Sequence, residues 1–245
     1  MNDHAHFPPT PWTKLREAVG SQDGADRPAA ISYLCTHYWY PLYVFARLKG
    51  LKHEDAQDQT QMFLSRLIRR NSLERVDAEK GRLRTYLLSA FQNQWIKQWQ
   101  HDHAARRGGG VTMVPLDMIG AEERFASEAY HEAVQPEAEY DRAWALALIN
   151  ACIDIMAAEH RSDGDAERFA VLRPFLSPTS VADASLSEAA SRLGMSDMAM
   201  RQSVFRLRAR FAKLLREHVA GSLANPTPEA IEEEMRSLRY ALERF

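Results

Sequence analysis

Residues Leu186–Phe211 read LSEAASRLGMSDMAMRQSVFRLRARF, and their spacing predicts two helices joined by a tight turn. Ser185 followed three residues later by Glu188 forms a capping box, which places the start of the first helix there. Gly194 provides the turn, Ser196 is the expected N-cap of the second helix, and that helix is expected to extend over about 197–219. A glycine in the turn between two such helices is typical of a helix-turn-helix.

The second helix of this motif has two chemically different faces. At about 100° per residue, one stripe is apolar and is expected to be buried. The other positions carry long polar, basic and aromatic side chains, which a recognition helix presents to base edges and phosphates. Alternatively, they form the solvated face of an ordinary helix pair, since this geometry also occurs in proteins that do not bind DNA. The apolar stripe comprises Met200, Val204, Leu207 and Phe211, and the candidate DNA-binding residues are Ser196, Arg201, Gln202, Phe205, Arg206 and Arg208.

Charge is unevenly distributed along a chain of 245 residues whose net charge is only -2. Residues 64–107 contain ten Lys or Arg against four acidic residues, and residues 195–216 contain six against one. Between them, residues 117–141 carry eight acidic residues against a single arginine. Two basic blocks therefore flank an acidic one, and the net charge says little about affinity for nucleic acid.

The composition, 45% hydrophobic and 26% charged, is that of a soluble protein. Helical periodicity dominates and strand-like alternation is not apparent, which predicts an all-α fold. Cys35 and Cys152 lie in unrelated contexts, so we expect a cytoplasmic protein without a disulfide. We also expect no secretory signal, and the apolar run 143–158 is broken by Asn150 and Asp154 and is shorter than a membrane-spanning helix.

Glycine and proline residues divide the chain into two small helical domains joined by an acidic linker. The segment RRGGG cannot continue a helix and ends the first domain, while NPTP precedes a last helix with Thr227 as its N-cap and Pro228 at its first position. The expected boundaries are 1–27 for an N-terminal extension, 28–105 for the first domain, 106–136 for the linker, 137–221 for the second domain and 222–245 for a C-terminal helical extension.

The C-terminal helix is amphipathic, so its apolar stripe must pack against another surface. Packing within the second domain is the simplest expectation. Alternatively, the helix covers the first domain as an autoinhibitor or binds a regulator. The stripe consists of Ile231, Met235, Leu238, Leu242 and Phe245.

The sequence contains no pattern that predicts an enzyme, a cofactor or a metal site. His101 and His103 have no cysteine or carboxylate cluster at ligand spacing. The three glycines at 108–110 follow a predicted helix, whereas a phosphate-binding loop leads from a strand into one. We therefore expect a non-catalytic protein.

The first domain carries motifs that lead to a family resemblance. An aromatic helix, YWYPLYVFARLKG, precedes DAQDQTQMF at 55–63, and DAEKGRLR at 77–84 leads into a helix that contains Asn93. This arrangement resembles region two of bacterial sigma factors of the extracytoplasmic-function type, and the helix-turn-helix resembles their region four. The two regions occur in the family's order over most of 28–220. RRGGG, LRPFLS and the extra C-terminal helix are similar to an extended subgroup common in planctomycete-type bacteria.

The resemblance implies a transcription initiation factor that binds core RNA polymerase, recognises the minus-ten and minus-thirty-five promoter elements and opens DNA. The implied partners are the clamp coiled coil and the flap of the large polymerase subunits, together with promoter DNA. The implied minus-thirty-five contacts are those of the helix-turn-helix. The implied polymerase-binding residues are Asp55, Asp58, Gln61, Met62 and Ser65, and the implied minus-ten contacts are Lys80, Arg82, Arg84, Asn93 and Lys97.

Alternatives remain for several of these residues. Asp55 and Asp58 could instead stabilise the positive end of a helix dipole. The family commonly has more acidic residues where Gln57 and Gln59 stand, and in related groups a Ser/Thr kinase is thought to supply the missing charge, which makes Thr60 a candidate phosphosite. For the whole chain, the alternatives are a helix-turn-helix regulator or a regulatory adaptor that does not bind polymerase.

Overall fold

The computed structural model describes residues 27–69, 81–104, 120–128, 134–176 and 183–243. Nearly all of these residues lie in helices, which confirms the predicted all-α fold. Within the described ranges, extended pairing is limited to one isolated antiparallel bridge between Arg82 and Leu223.

The helix boundaries lie close to the breaks that glycine and proline residues predict. The first half contains α1 (Arg27–Leu34), which continues through one π-helical turn (Cys35–Trp39) into α2 (Tyr40–Leu48), then α3 (His53–Arg69), α4 (Leu83–Ala104) and α5 (Ala121–Ser127). The second half contains α6 (Pro136–Ser162), α7 (Ala166–Leu172) with a 3-10 turn (Arg173–Leu176), α8 (Asp183–Arg192), α9 (Asp197–Gly221) and α10 (Pro228–Glu243).

The chain divides into two compact units whose boundaries differ from the expected ones. The first unit extends to Ala147 and resumes at Ala220, and the second unit is Leu148–Val219. Both divisions fall within helices, α6 and α9, and neither falls in the acidic segment. The C-terminal segment belongs to the first unit, so the expectation that it packs within the second domain is wrong.

The core of the first unit is built around α2, in which Pro41–Ala46 are all buried. Phe91 of α4 makes edge-to-face contacts with two other phenylalanines, with ring centroids 6.2 Å from Phe45 and 5.3 Å from Phe63. These contacts hold α2, α3 and α4 around one apolar centre. Leu67 is buried beside Phe63 on α3, as the helical spacing predicts.

The second unit contains the predicted helix-turn-helix, formed by α8 and α9. Gly194 has a φ of 63°, a left-handed conformation that glycine adopts without steric cost. The Ser196 hydroxyl accepts a hydrogen bond from the Ala199 amide at 3.3 Å, which confirms the predicted N-cap of α9. The first helix begins at Asp183 and not at Ser185, so the capping-box sequence places its start two residues too late.

The start of α10 also agrees with the sequence. The Thr227 hydroxyl accepts a hydrogen bond from the Ala230 amide at 3.2 Å, and Pro228 is the first helical residue. The apolar stripe of the helix is only partly covered, because Leu238 is buried whereas Ile231 and Met235 are half-buried.

By length and composition alone, α6 is long and apolar enough to cross a membrane, since it has 27 residues and contains an 18-residue window with a mean hydropathy of 1.2. The helix is longer than the apolar run 143–158, so the length of that run does not by itself exclude a span. The observation is weak evidence for a membrane, because core helices of soluble proteins pass the same test. Tyr140, Trp144 and Leu148 of this helix are buried by protein.

Candidate partner and nucleic-acid interfaces

The exposed face of α9 combines an aromatic side chain with basic and polar ones. Phe205 is 72% exposed on this face. Arg201, Gln202 and Arg206 are exposed around it, while Met200 and Val204 are buried on the opposite side. The structure therefore brings most of the predicted minus-thirty-five contacts onto one surface, as the helical spacing predicts.

Two arginines of α9 are engaged inside the second unit. Arg208 is exposed but its Nε donates a hydrogen bond to the Phe175 carbonyl at 2.8 Å. Arg210 forms a two-pronged ion pair with Glu159, and this hydrogen bonding lowers the pKa of the Glu159 carboxyl. Arg208 therefore also has a structural role, and the charge of Arg210 is compensated within the unit.

The predicted polymerase-binding residues share one face of α3. Asp55 and Asp58 are exposed and Gln61, Met62 and Ser65 are half-buried, whereas Ala56, Phe63 and Leu67 are buried on the opposite face. Only Asp55 of the two aspartates lies in the first turn of the helix, where the helix dipole acts most strongly. The dipole alternative therefore accounts for Asp55 better than for Asp58.

Thr60 lies on the buried side of α3. Its side chain is fully buried, and its hydroxyl donates a hydrogen bond to the Ala56 carbonyl at 2.8 Å. A kinase needs an accessible hydroxyl, so this position does not support the interpretation of Thr60 as a phosphosite. The helical spacing could have indicated this, since Ala56, Thr60, Phe63 and Leu67 follow one another at intervals of three and four residues.

The predicted minus-ten contacts have different environments. Asn93 is exposed on α4. Lys80 lies outside the described residues, as does the side chain of Lys97. Arg82 and Arg84 lie at the start of α4, where carboxylates from other helices of the first unit surround them.

The carboxylate of Glu234 on α10 lies between these two arginines. Its Oε1 accepts from the Nε of Arg84 at 2.6 Å, and its Oε2 lies 2.9 Å from the Nε of Arg82 and 3.2 Å from the Nη2 of Arg84. Glu233 pairs with the Nη2 of Arg82 at 2.6 Å, and Asp141 of α6 pairs with the Nη1 of Arg84. The five side chains form one charge cluster, which we call the arginine-carboxylate cluster.

Arg84 is the buried centre of this cluster. Its guanidinium lies 5.0 Å from the centre of the Trp144 ring, and the Tyr140 hydroxyl donates to its main-chain carbonyl at 3.0 Å. Burial lowers the pKa of Arg84, but the hydrogen bonds and charges of Glu234 and Asp141 outweigh burial and raise it overall. Arg84 therefore remains charged and joins α4 to α6 and α10. Its burial and its ion pairs do not agree with the prediction that Arg84 is available to DNA.

Part of the predicted acidic linker is also packed against the first unit. The Glu122 carboxylate of α5 accepts hydrogen bonds from the Tyr43 hydroxyl and from Arg47 at 2.9 Å, and lies 3.5 Å from the Nδ1 of His53. Arg124 stacks over the Tyr40 ring at 3.7 Å from its centre. Burial and the hydrogen bond to Glu122 raise the pKa of Tyr43. Residues 120–128 are therefore held on α2 and do not act as a free tether.

Sequence reasoning missed Glu234, although the sequence contains a signal for it. Glu234 lies three residues after Ile231 and four before Leu238, so it shares their face of the helix. A glutamate on an apolar stripe is buried only at a high cost unless it is paired. That position therefore indicates an ion-pair partner, but not which arginine supplies it.

Comparisons with protein-family models, with curated proteins and with solved structures found no match to this chain.

Proposed function

We propose that the chain is a promoter-specificity subunit of bacterial RNA polymerase, a sigma factor of the extracytoplasmic-function type. The observation that carries the proposal is the exposed face of α9. Phe205 is 72% exposed among Arg201, Gln202 and Arg206 on the second helix of a helix-turn-helix. In such motifs the N-terminal part of this helix enters the major groove, where arginine and glutamine side chains read base edges.

The second support is the exposed face of α3. A half-buried methionine beside Gln61 and the exposed Asp58 forms a mixed apolar and polar surface opposite the buried side of the helix. Protein interfaces are enriched in methionine and use charged residues at their rims. In the proposed function, this surface binds the clamp coiled coil of the polymerase.

The two surfaces are expected to work together. The helix-turn-helix alone would bind duplex DNA weakly and with strong salt dependence, because most of its affinity comes from phosphate contacts. Attachment to polymerase through α3 would raise the effective concentration of α9 at the minus-thirty-five element. Specific promoter recognition would then require both surfaces, with the polymerase flap and clamp as protein partners.

A second candidate is a helix-turn-helix regulator that acts without polymerase. It is favoured by the arginine-carboxylate cluster, because Arg82 and Arg84 are engaged by carboxylates in the isolated chain and not presented to DNA. The two candidates share the α9 surface. They differ in whether α3 binds a polymerase subunit.

The test is to mix the purified chain with bacterial core polymerase and a genomic promoter library. The sigma proposal expects co-purification with core enzyme and initiation at a defined set of promoters. An Asp58→Ala, Met62→Ala variant should lose both, and a Gln57→Ala variant on the flank of α3 serves as the matched control. Specific duplex binding without polymerase binding would support the regulator, and absence of both activities would rule out both candidates.

A further inference from the structure

We propose that α10 is a displaceable internal cover of Arg82. Side chains of α10 occupy the phosphate-binding nitrogens of that arginine until nucleic acid replaces them. The inference rests on the proposed function in one respect, the assignment of Arg82 to nucleic acid. It adds a regulatory role for the C-terminal helix and names the residues that carry it: Glu233, Glu234 and Ser237.

All three guanidinium nitrogens of Arg82 face α10. The Nη2 lies 2.6 Å from Glu233, the Nε lies 2.9 Å from Glu234, and the Nη1 donates to the Ser237 hydroxyl at 3.4 Å. The side chain is nevertheless 29% exposed, so it lies at the surface and within reach of a ligand. Each of the three guanidinium nitrogens of Arg82 therefore already has a partner on α10, and a phosphate would compete with these partners for its five N–H groups.

Glu234 binds the arginines as a phosphate group would. One carboxylate contacts Arg82 and Arg84 together, since it accepts two hydrogen bonds from Arg84 and lies 2.9 Å from the Nε of Arg82. Arginine clusters bind phosphate through the same paired, charge-assisted hydrogen bonds. A nucleic-acid phosphate and the Glu234 carboxylate thus compete for the same donors.

The two arginines would respond differently to loss of α10. Arg84 would keep its ion pair with Asp141 and its position beside Trp144, both of which belong to α6. Arg82 would lose every ion pair that the structure records for it, since its carboxylate partners both lie on α10. Arg82 is therefore the residue that the cover controls, and Arg84 is mainly structural.

The contact of α10 with the rest of the first unit depends on charge more than on apolar burial. Its two buried residues are Glu234 and Leu238, while Ile231, Met235 and Leu242 are only half-buried. Removing a carboxylate from a buried arginine is costly when the arginine is left unpaired. That cost falls when another anion takes its place, so a polyanion is a suitable displacing ligand.

The chain also provides a point at which α10 can detach. Residues 222–224 are held beside the start of α4, because the Leu83 amide donates to the Ser222 carbonyl at 3.0 Å and the Ala224 amide to the Gly81 carbonyl at 3.2 Å. Asn225, the next residue, is exposed. The helix could therefore move from residue 225 onward while the preceding pairing stays intact.

The test measures the affinity of the full chain for a fluorescent single-stranded DNA of about 15 nucleotides, a length that one binding site can cover. Glu234→Gln should tighten binding about tenfold, as expected when hydrogen bonds from a charged group to phosphate become available. Glu229→Gln, which changes the net charge equally on the same helix, should leave the affinity unchanged. Adding Arg82→Ala to Glu234→Gln should cancel the gain. In the wild-type chain, saturating DNA should increase hydrogen exchange across 228–243.

The inference is overturned if a folded Glu234→Gln variant binds no more tightly than Glu229→Gln, or if DNA leaves the exchange of α10 unchanged. Should Glu234→Gln fail to fold, the Glu233→Gln, Ser237→Ala variant takes its place, since it removes two of the three α10 partners of Arg82 without altering the buried carboxylate of Glu234. A smaller gain that depends on Arg82 then supports the cover, and no gain overturns it. These measurements contain no polymerase. Failure to bind core enzyme would therefore reject the proposed function and leave the cover intact.

Discussion

Arg84 and Glu234 form a buried, two-pronged ion pair between α4 and α10, with nitrogen-to-oxygen distances of 2.6 and 3.2 Å. The Glu234 side chain is 0% exposed and that of Arg84 is 8% exposed, so neither charge is compensated by water. The pair joins residues 150 positions apart in the sequence and fixes the C-terminal helix on the first unit.

Replacement of Arg84 should strongly destabilise the protein. Arg84→Ala leaves the buried carboxylate of Glu234 with Arg82 as its only recorded ion-pair partner, and loss of one member of a buried pair costs about 3–5 kcal/mol. Chemical denaturation followed by circular dichroism measures the change in the free energy of unfolding. Arg239→Ala, an exposed position on α10, should change it by less than about 0.5 kcal/mol. Equal effects of the two substitutions would contradict the structural role of Arg84.

Loss of the Glu122 carboxylate should release the short helix α5 from α2. Glu122→Gln keeps the size of the side chain but removes the charge that faces Arg47 and His53. We expect faster hydrogen exchange in 120–128, with the remaining helices unchanged. Glu123→Gln, at the exposed neighbouring position, should leave the exchange of that segment as in wild type.

The second unit should lose stability in mild acid because of His218. Burial lowers the pKa of this histidine below its ordinary value of 6.5, so the folded state favours the neutral ring. The unfolded state takes up the proton at a higher pH than the folded state does. The contribution of His218 to the free energy of unfolding is therefore fully present above pH 6.5 and is lost as the pH falls through the lowered pKa of the folded state. The free energy of unfolding should therefore decrease between about pH 7 and pH 5, and His218→Gln should make that decrease smaller. The same pH dependence in the variant would show that other groups cause it.

The acid response of the Glu159–Arg210 ion pair should occur at lower pH. The Glu159 carboxyl has a lowered pKa. The contribution of the ion pair to the free energy of unfolding is therefore present above pH 4.5, the ordinary value, and is lost only as the pH falls below it. Both side chains are 39% exposed, and solvent screening limits the contribution to less than about 1 kcal/mol. Arg210→Ala should therefore reduce stability slightly at neutral pH and leave the response between pH 7 and pH 5 unchanged. If Arg210→Ala strongly changed the loss of stability between pH 7 and pH 5, that loss could not be assigned to His218.

Binding of duplex DNA should depend on the exposed arginines of α9. Arg201→Ala and Arg206→Ala should each weaken binding and reduce the slope of log affinity against log salt by about 1, as expected for one lost phosphate contact. Arg161→Ala removes an equally exposed arginine from the end of α6 and is the matched control. If all three variants had the same salt dependence, α9 would not be the DNA-binding surface.

Local features of the fold could be predicted from the sequence because they depend on residues close together in the chain. The N-caps at Ser196 and Thr227, the turn at Gly194 and the buried face of α3 all follow from spacing and residue type. The boundaries of the compact units could not be predicted in this way. The apolar pattern of α6 is continuous, so nothing local marks the change of unit after Ala147.

The residue types on the candidate surfaces could be predicted from the sequence, but the ion pairs that these residues form could not. The positions on α3 and α9 that face away from the core follow from the helical repeat. The arginines of the basic blocks, however, look alike in sequence, and only tertiary contacts show that Arg84 and Arg210 are neutralised by Glu234 and Glu159. Charge counts along a sequence therefore overestimate the positive charge that is available to DNA.

The most direct test of the central claim is run-off transcription from a promoter selected with the wild-type chain and core polymerase. We expect Asp58→Ala, Met62→Ala to abolish initiation while duplex binding by the isolated protein is unchanged. Arg201→Ala, Arg206→Ala should abolish promoter-specific initiation while polymerase binding is unchanged, and Gln57→Ala and Arg161→Ala should behave as wild type. Failure of the wild-type chain to direct any initiation with core polymerase would contradict the proposed function.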